Sequence, residues 1–198
     1  VAPIYFVNSS VATNGNGTLS SPFKTVDNVT GTGSNPIFIY TGTGSSGTTL
    51  TLSDNQKLIG QGATASLTSI LGIAVPTYSN TLPSTGGANP SFSVLNLKLN
   101  NDVEGITLTG TTATMAGASV GTLKVRDVTI NGGTAVAVNI GAGTVLNCIF
   151  KSISANGASK GISVANSTGS FQVIGTGTTA GSGGTLQNIA NRGAEFIS

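Results

Sequence analysis

The chain has 198 residues, of which 38% are hydrophobic and only 7% charged, and it contains 29 glycines. This length and apolar content are enough for one sizeable core. The formal net charge is +2 and the eight basic residues are scattered, so we expect no nucleic-acid partner. No segment approaches the roughly 20 apolar residues of a membrane span, so we expect no membrane insertion.

Histidine is absent, and the chain has one cysteine and six carboxylates. The lack of histidine removes the usual nucleophile triads and the commonest metal ligand. We therefore expect no metal site and no cofactor. Cys148 lies in the apolar run VLNCIF, which favours a small buried side chain over a reactive thiol.

The N-terminal segment differs from the rest of the chain. IYFV (4–7) predicts a strand, and SSPFKTVDNV (20–29) predicts a short helix with Ser21 as its cap and Pro22 at its first position. Such a helix would cover the open end of a stack of strands, which otherwise exposes unpaired backbone groups. We assign residues 1–35 to this capping segment.

Strands follow, and nothing else in the chain has a helical pattern. The next predicted strands are PIFIYT (36–41), TTLTL (48–52), QKLIG (56–60) and SLTSIL (66–71). The stretch 76–90 contains Pro83 and a Gly-Gly pair, and it predicts a loop.

From about residue 91 one phrase recurs: a short alternating apolar run, an Asn with a nearby Gly, and then a small residue before an apolar one. Its four copies are VLNLKLNNDVEGITL (94–108), VRDVTINGGTAVAVNI (125–140), FKSISANGASKGISV (150–164) and TLQNIANRGAEFIS (185–198). The matching residues Ile106, Val136, Ile162 and Phe196 are 30, 26 and 34 residues apart. This spacing is typical of one turn of a solenoid.

Alternation within the first copy predicts which side chains form the core. Leu95, Leu97 and Leu99 should point inward, while Asn96 and Lys98 face solvent. An antiparallel sandwich would also produce many short strands, but it would not keep the phrase in one order along the chain. We therefore predict an all-β fold, a right-handed parallel β-helix over 36–198, with a further coil expected after residue 198.

Three asparagines follow inward residues at a fixed offset: Asn100, Asn131 and Asn156. Stacked on one another they would form a ladder in which each amide bonds the turn of the next coil. A row of ligand-binding amides is the alternative interpretation, and we favour the structural ladder.

Three segments carry a resemblance to a known group: IYFVNSSVATNGNGTLSSPFKTVDNV, PIFIYTGTGSSGTTLTLSDNQKLIGQG and GISVANSTGSFQVIGTGTTAGSGGTLQNI. They resemble the β-helical region of large secreted or surface-displayed bacterial adhesin-like proteins, with a pectate-lyase-like parallel β-helix. The resemblance implies export and location outside the cell or on its surface. Such scaffolds serve as stalks, as ligand-binding surfaces and as supports for polysaccharide enzymes, so the resemblance does not choose an activity.

Asp102, Glu104, Arg126 and Asp127 are the candidate catalytic residues, because carboxylates beside a basic residue suit polysaccharide lyase or hydrolase chemistry. The same charges are also expected of solvated turns that keep the lateral surface soluble. We favour the second interpretation.

The sequence therefore predicts a non-enzymatic structural or adhesive module of a larger exported protein. Its expected partners are a surface glycan or a protein of a host or neighbouring cell, with Tyr40 and Tyr78 as candidate stacking aromatics. A polysaccharide lyase or hydrolase is one alternative. A module that self-associates through the ends of its solenoid is the other.

Overall fold

The computed structural model describes residues 3–75 and 81–198. Over these residues the regular secondary structure is almost entirely β-strand, and the named strands pair in parallel. A 3-10 turn spans Val26–Asn28 and a short helix, α1, spans Leu67–Leu71. In chain order, the strands are β1 Tyr5–Val7, β2 Ile37–Ile39, β3 Thr49–Thr51, β4 Lys57–Gly60, β5 Ser91–Phe92, β6 Val94–Asn96, β7 Asp102–Glu104, β8 Thr107–Gly110, β9 Thr114–Gly117, β10 Thr122–Gly132, β11 Val138–Ile140, β12 Gly143–Asn156, β13 Lys160–Ala165, β14 Ser167–Val173, β15 Leu186–Gln187 and β16 Arg192–Ile197.

The strands form two parallel sheets, and the first sheet curls strongly. Its main path runs β1-β2-β4-β7-β10-β12-β14, with β5, β8 and β15 branching from it. The second sheet runs β3-β6-β9-β11-β13-β16. The chain alternates between the sheets, so it winds in coils and the fold is a parallel, solenoid-like β-structure.

The curl of the first sheet occurs inside β10. Residues 124–126 of this strand pair with β7, whereas residues 129–132 pair with β8. Between them the register shifts, and Asp127 has a backbone φ of 56°. This left-handed conformation turns the strand, because it breaks the extended geometry on either side. The first sheet thus supplies two faces of the solenoid and the second sheet supplies the third.

The core is a column of inward side chains stacked from coil to coil. In the second sheet the column contains Leu95, Met115, Val138 and Ile162, and the exposed Ala194 continues its register in the last coil; these residues are 20, 23, 24 and 32 residues apart. The predicted phase was wrong, since Ile162 pairs with Val138 and Ala194 and not with Val136 and Phe196. The coils differ in loop length, so a fixed position in the repeated phrase does not stay in one column.

Inward alternation holds for part of the VLNLKL run. Leu95 and Leu97 are buried, whereas Leu99 is 41% exposed, so the inward prediction for Leu99 was wrong. β6 ends at Asn96, and the next residues enter a turn in which Asn100 has φ 58°. The two-residue period applies only while the backbone remains extended.

The helix predicted over 20–29 is reduced to the 3-10 turn, and Ser21 does not cap it, because the turn begins after Thr25. Phe23 instead lies extended beside β1, where its N–H donates to the Phe6 carbonyl at 2.9 Å. Its ring is buried and stacks on Tyr5, with ring centroids 6.2 Å apart. Pairing with the free edge of β1 outweighs local helix preference here.

The strand predicted at 66–71 was also wrong, because most of this segment is α1. Ser66 caps it by accepting the N–H of Ser69, and Gly72 ends it in the left-handed conformation. Leu67 and Ile70 of α1 bury themselves on Phe38 and on other apolar side chains of β1 and β4, on the outer side of the first sheet. These strands are apolar on both sides, so a covering element is required there.

Candidate functional site

Two of the three candidate catalytic carboxylates, Asp102 and Glu104, lie in a row of opposite charges on the outer side of the first sheet. Asp102 of β7 is in register with Lys57 of β4 and Lys124 of β10. Its carboxylate lies 3.3 Å from the Lys124 ammonium and 3.9 Å from that of Lys57. Lys124 also pairs with Glu104. Parallel pairing therefore builds a charge ladder, Lys57-Asp102-Lys124-Glu104, across three coils.

Burial affects both the pKa values and the solvent access of the charged groups in this ladder. Glu104 is only 2% exposed, and this burial raises its pKa, although the hydrogen bond from Lys124 opposes the rise. Burial alone would lower the pKa of Lys124, but the carboxylates of Glu104 and Asp102 outweigh it and raise that pKa. Oδ1 of Asp102 is buried without a hydrogen-bond partner among the described residues. The ladder is therefore a partly desolvated ionic cluster in which the Glu104 carboxylate is closed to a polymer.

Arg126 lies in register with Glu104, but among the described residues neither Arg126 nor Asp127 forms an ion pair with a member of this ladder. The Arg126 guanidinium donates to the carbonyl and the side-chain oxygen of Asn147, each at 2.6 Å. Asp127 accepts the N–H of Thr64 at 2.8 Å and lies 3.7 Å from the Lys151 ammonium. The structure therefore does not join the four predicted residues into one patch, because the bend at Asp127 turns its side chain towards a different loop.

The three asparagines of the predicted ladder do not stack on one another. Asn131 lies in register with Thr109 and Ser154. Asn100 donates to Asn55 at 3.1 Å, and Asn156 accepts from Asn188 at 2.8 Å. Two separate asparagine pairs thus replace the single ladder, since the column positions follow loop lengths that the repeated phrase does not reveal.

Of the two candidate stacking aromatics, Tyr40 packs against its own protein. Its ring meets Phe38 edge-on at a centroid distance of 5.1 Å and is half-buried in the cluster covered by α1. Burial also raises its pKa. Part of the Tyr40 ring is thus covered by its own protein. Tyr78 lies outside the described residues.

Sequence reasoning missed a depression on the outer side of the second sheet, which we name the trough. Its floor is formed by Ala116, Gly117 and Ala118, and it has a volume of about 500 Å³. One wall carries Thr51, Asn96 and Lys98 and the other wall carries Asn139, as lining residues. The small side chains of the floor between taller polar neighbours were the available signal.

The two ends of the solenoid differ in their protection. At the N-terminal end Asp27 accepts the N–H groups of Thr48 and Thr49, at 2.9 and 2.8 Å, beside the free edge of β3. At the other end, where β14 and β16 are the last strands, four apolar side chains are 39 to 58% exposed: Val173 of β14, the following Ile174, and Phe196 and Ile197 of β16. The second end therefore presents apolar side chains beside unpaired strand edges.

Comparison with known proteins does not place the chain in a group. No protein family, no curated protein and no solved structure matches it. Over residues 3–75 and 81–198, no helix is long and apolar enough to cross a membrane. In the same residues, no three His, Cys, Asp or Glu side chains cluster closely enough to hold a metal ion.

Proposed function

We propose that the chain is a non-enzymatic structural and adhesive module of a larger exported bacterial surface protein, located outside the cell or on its surface. We further propose that its solenoid is a right-handed parallel β-helix with a closed N-terminal end. The right hand is the one that parallel crossovers adopt in nearly every known case. The main support for a non-enzymatic module is that the carboxylates bond other parts of the fold.

Every carboxylate of the chain makes a contact that links a neighbouring coil, loop or turn. Three accept backbone N–H groups from elsewhere in the fold, namely Asp27, Asp54 and Asp127. Four form ion pairs with Lys or Arg, namely Asp102, Glu104, Glu195 and again Asp127. Polysaccharide cleavage needs an accessible acid or base beside the reacting bond. Carboxylates already committed to holding coils together favour a scaffold.

The geometry of the stack suits a rod. Seven strands follow one another along the main path of the first sheet, and neighbouring strands lie about 4.8 Å apart. The stack is therefore about 30 Å long, with its backbone hydrogen bonds directed along the axis. Additional coils in a longer protein would extend the reach of a binding surface.

The experiment is incubation with a panel of insoluble acidic and neutral polysaccharides. Both the depletion of protein from solution and the release of new reducing or unsaturated chain ends are measured. We expect depletion onto at least one glycan without new ends. Neither depletion nor product in the whole panel would remove the adhesive part of the proposal.

The enzymatic alternative, a polysaccharide lyase or hydrolase, is tested in the same incubation. New chain ends that disappear in either Asp127→Asn or Glu104→Gln would establish an enzyme and overturn the proposal. Lys151→Gln is the matched control, because it removes a charge beside Asp127 while leaving every carboxylate in place.

A second candidate function, a self-assembling extracellular module, is favoured by the apolar end. Phe196 is 58% and Ile197 is 50% exposed, and unpaired strand edges beside apolar side chains recruit further strands. Sedimentation velocity over a range of protein concentrations should show growth in mass. The double change Phe196→Ser with Ile197→Ser should abolish it, whereas Val145→Ser, at a 44% exposed position within β12, should not. A constant mass at every concentration rules this candidate out.

A further inference from the structure

The trough combines a floor of small residues with polar side chains on both walls. Ala116 lies in register between Asn96 on one side and Asn139 on the other. Those two amides stand two strand spacings apart, which is about 10 Å. The trough is therefore one strand wide, and it is open along its length.

The polar groups of the walls have unused bonding capacity. Within residues 3–75 and 81–198, Asn139 makes no side-chain hydrogen bond, and Asn96 makes one, to Thr51 at 3.0 Å. An amide has two N–H donors and an acceptor oxygen, so both side chains have groups left for a ligand. This pairing of donors and acceptors suits the hydroxyl groups of a sugar chain.

Lys98 adds a positive charge at the same wall. Its side chain is exposed, and none of the ion pairs among the described residues includes it. The backbone of Lys98 is held in place, because its N–H donates to the side-chain oxygen of Asn101 at 2.7 Å. A lysine that is held at its backbone and free at its ammonium favours a negatively charged ligand.

We propose that the trough binds a single acidic polysaccharide chain, with Lys98 pairing a sugar carboxylate and Asn96 and Asn139 bonding neighbouring hydroxyl groups. This proposal rests on the adhesive function proposed above and names its site and ligand class. The trough contains no aromatic ring, so binding depends on charge and amide hydrogen bonds. Each single site binds weakly. Many copies of the protein on one cell surface would bind the same polymer at several points, and this multivalency raises the overall affinity.

The first test measures binding of a hyaluronan hexasaccharide, a uronate-containing probe, by calorimetric titration at low salt. The comparison ligand is its carboxyl-reduced counterpart, in which each carboxylate is replaced by a neutral CH₂OH group. We expect the acidic form to bind more tightly by up to about 5-fold, because one exposed ion pair contributes at most about 1 kcal/mol. Equal affinities would overturn the role of Lys98.

Paired variants locate the site. Lys98→Gln should weaken binding about 5-fold, whereas Lys151→Gln, which removes the same charge from the first sheet, should leave it unchanged. Ala116→Tyr places a ring on the floor and should abolish binding, while Ala116→Ser should retain it. Ala116 faces outward on β9, so we expect these variants to fold. Thermal unfolding of each variant checks this. Normal binding by a folded Ala116→Tyr protein would refute the proposal.

The outcomes separate this inference from the general function. If the wild type and Ala116→Tyr deplete equally onto an insoluble glycan, the protein is adhesive but the trough is not its site. If no glycan retains the wild type, both proposals fail. Binding of polyglutamate as tightly as the hexasaccharide would show that the trough recognises charge alone, which overturns the assignment to a sugar chain.

Discussion

Replacing Asp27 by Asn tests how the solenoid protects its first open edge. The two Asp27 oxygens accept the N–H groups of Thr48 and Thr49 and the Thr48 hydroxyl. A hydrogen bond to a charged group contributes about 1.5 to 3 kcal/mol when buried. Asp27 is exposed, so we take about 1 kcal/mol for each N–H and expect the variant to lose about 1 to 2 kcal/mol of unfolding free energy.

The effect should depend on pH with a definite sign. Burial alone would raise the pKa of Asp27, but the hydrogen bonds from Thr48 and Thr49 outweigh it and lower that pKa. A carboxyl group whose pKa is lower in the folded state stabilises the fold above its unfolded pKa, and this stability is lost as pH falls through the folded value. The gap between wild type and Asp27→Asn should therefore close in acid.

Urea unfolding of both proteins over a series of pH values measures the gap. Asp54→Asn is the control, because Asp54 accepts a single N–H, from Leu99 at 3.1 Å. It should cost less than Asp27→Asn. Equal stability of the wild type and Asp27→Asn at neutral pH, or a gap that stays constant in acid, would refute the assignment of Asp27 as the edge cap.

Three further predictions concern the interior. Because burial raises the pKa of Glu104, the unfolding free energy of the wild type should fall as pH rises through that pKa. Glu104→Gln should flatten this decline, as measured by urea unfolding at a series of pH values. The same dependence of unfolding free energy on pH in both proteins would contradict the prediction. Gly105→Ala should lower the unfolding free energy by about 3 kcal/mol, because Gly105 has φ +69° and the new methyl group would overlap the backbone of Ala63. Gly31→Ala is the control. Gly31 has a similar φ of +65° but open space around it, so this variant should lose only about 1 kcal/mol. Equal losses in thermal melts would count against the clash. The Cys148 thiol is buried and its pKa is raised to about 12, so a thiol reagent should modify it only in denaturant; rapid modification of the native protein would show that β12 opens.

The local strand pattern was largely predictable because it depends on neighbouring residues alone. The predicted strands at 4–7, 36–41, 48–52 and 56–60 correspond to β1 to β4. α1 was missed because its residues form a helix to cover an apolar surface supplied by distant strands. The charge ladder was predicted only in part, since nothing in the sequence indicates that Lys57 and Lys124 flank Asp102.

The sequence by itself determined a β-rich chain with alternating buried and exposed positions, because the two-residue period of a strand is a local property. Only the tertiary structure decided which residues stack from coil to coil. Column positions depend on the lengths of the intervening loops and on the bend at Asp127, and both are set by the packing of the whole stack. For the same reason the trough appears only in the fold, where Asn96, Ala116 and Asn139 become neighbours across three coils.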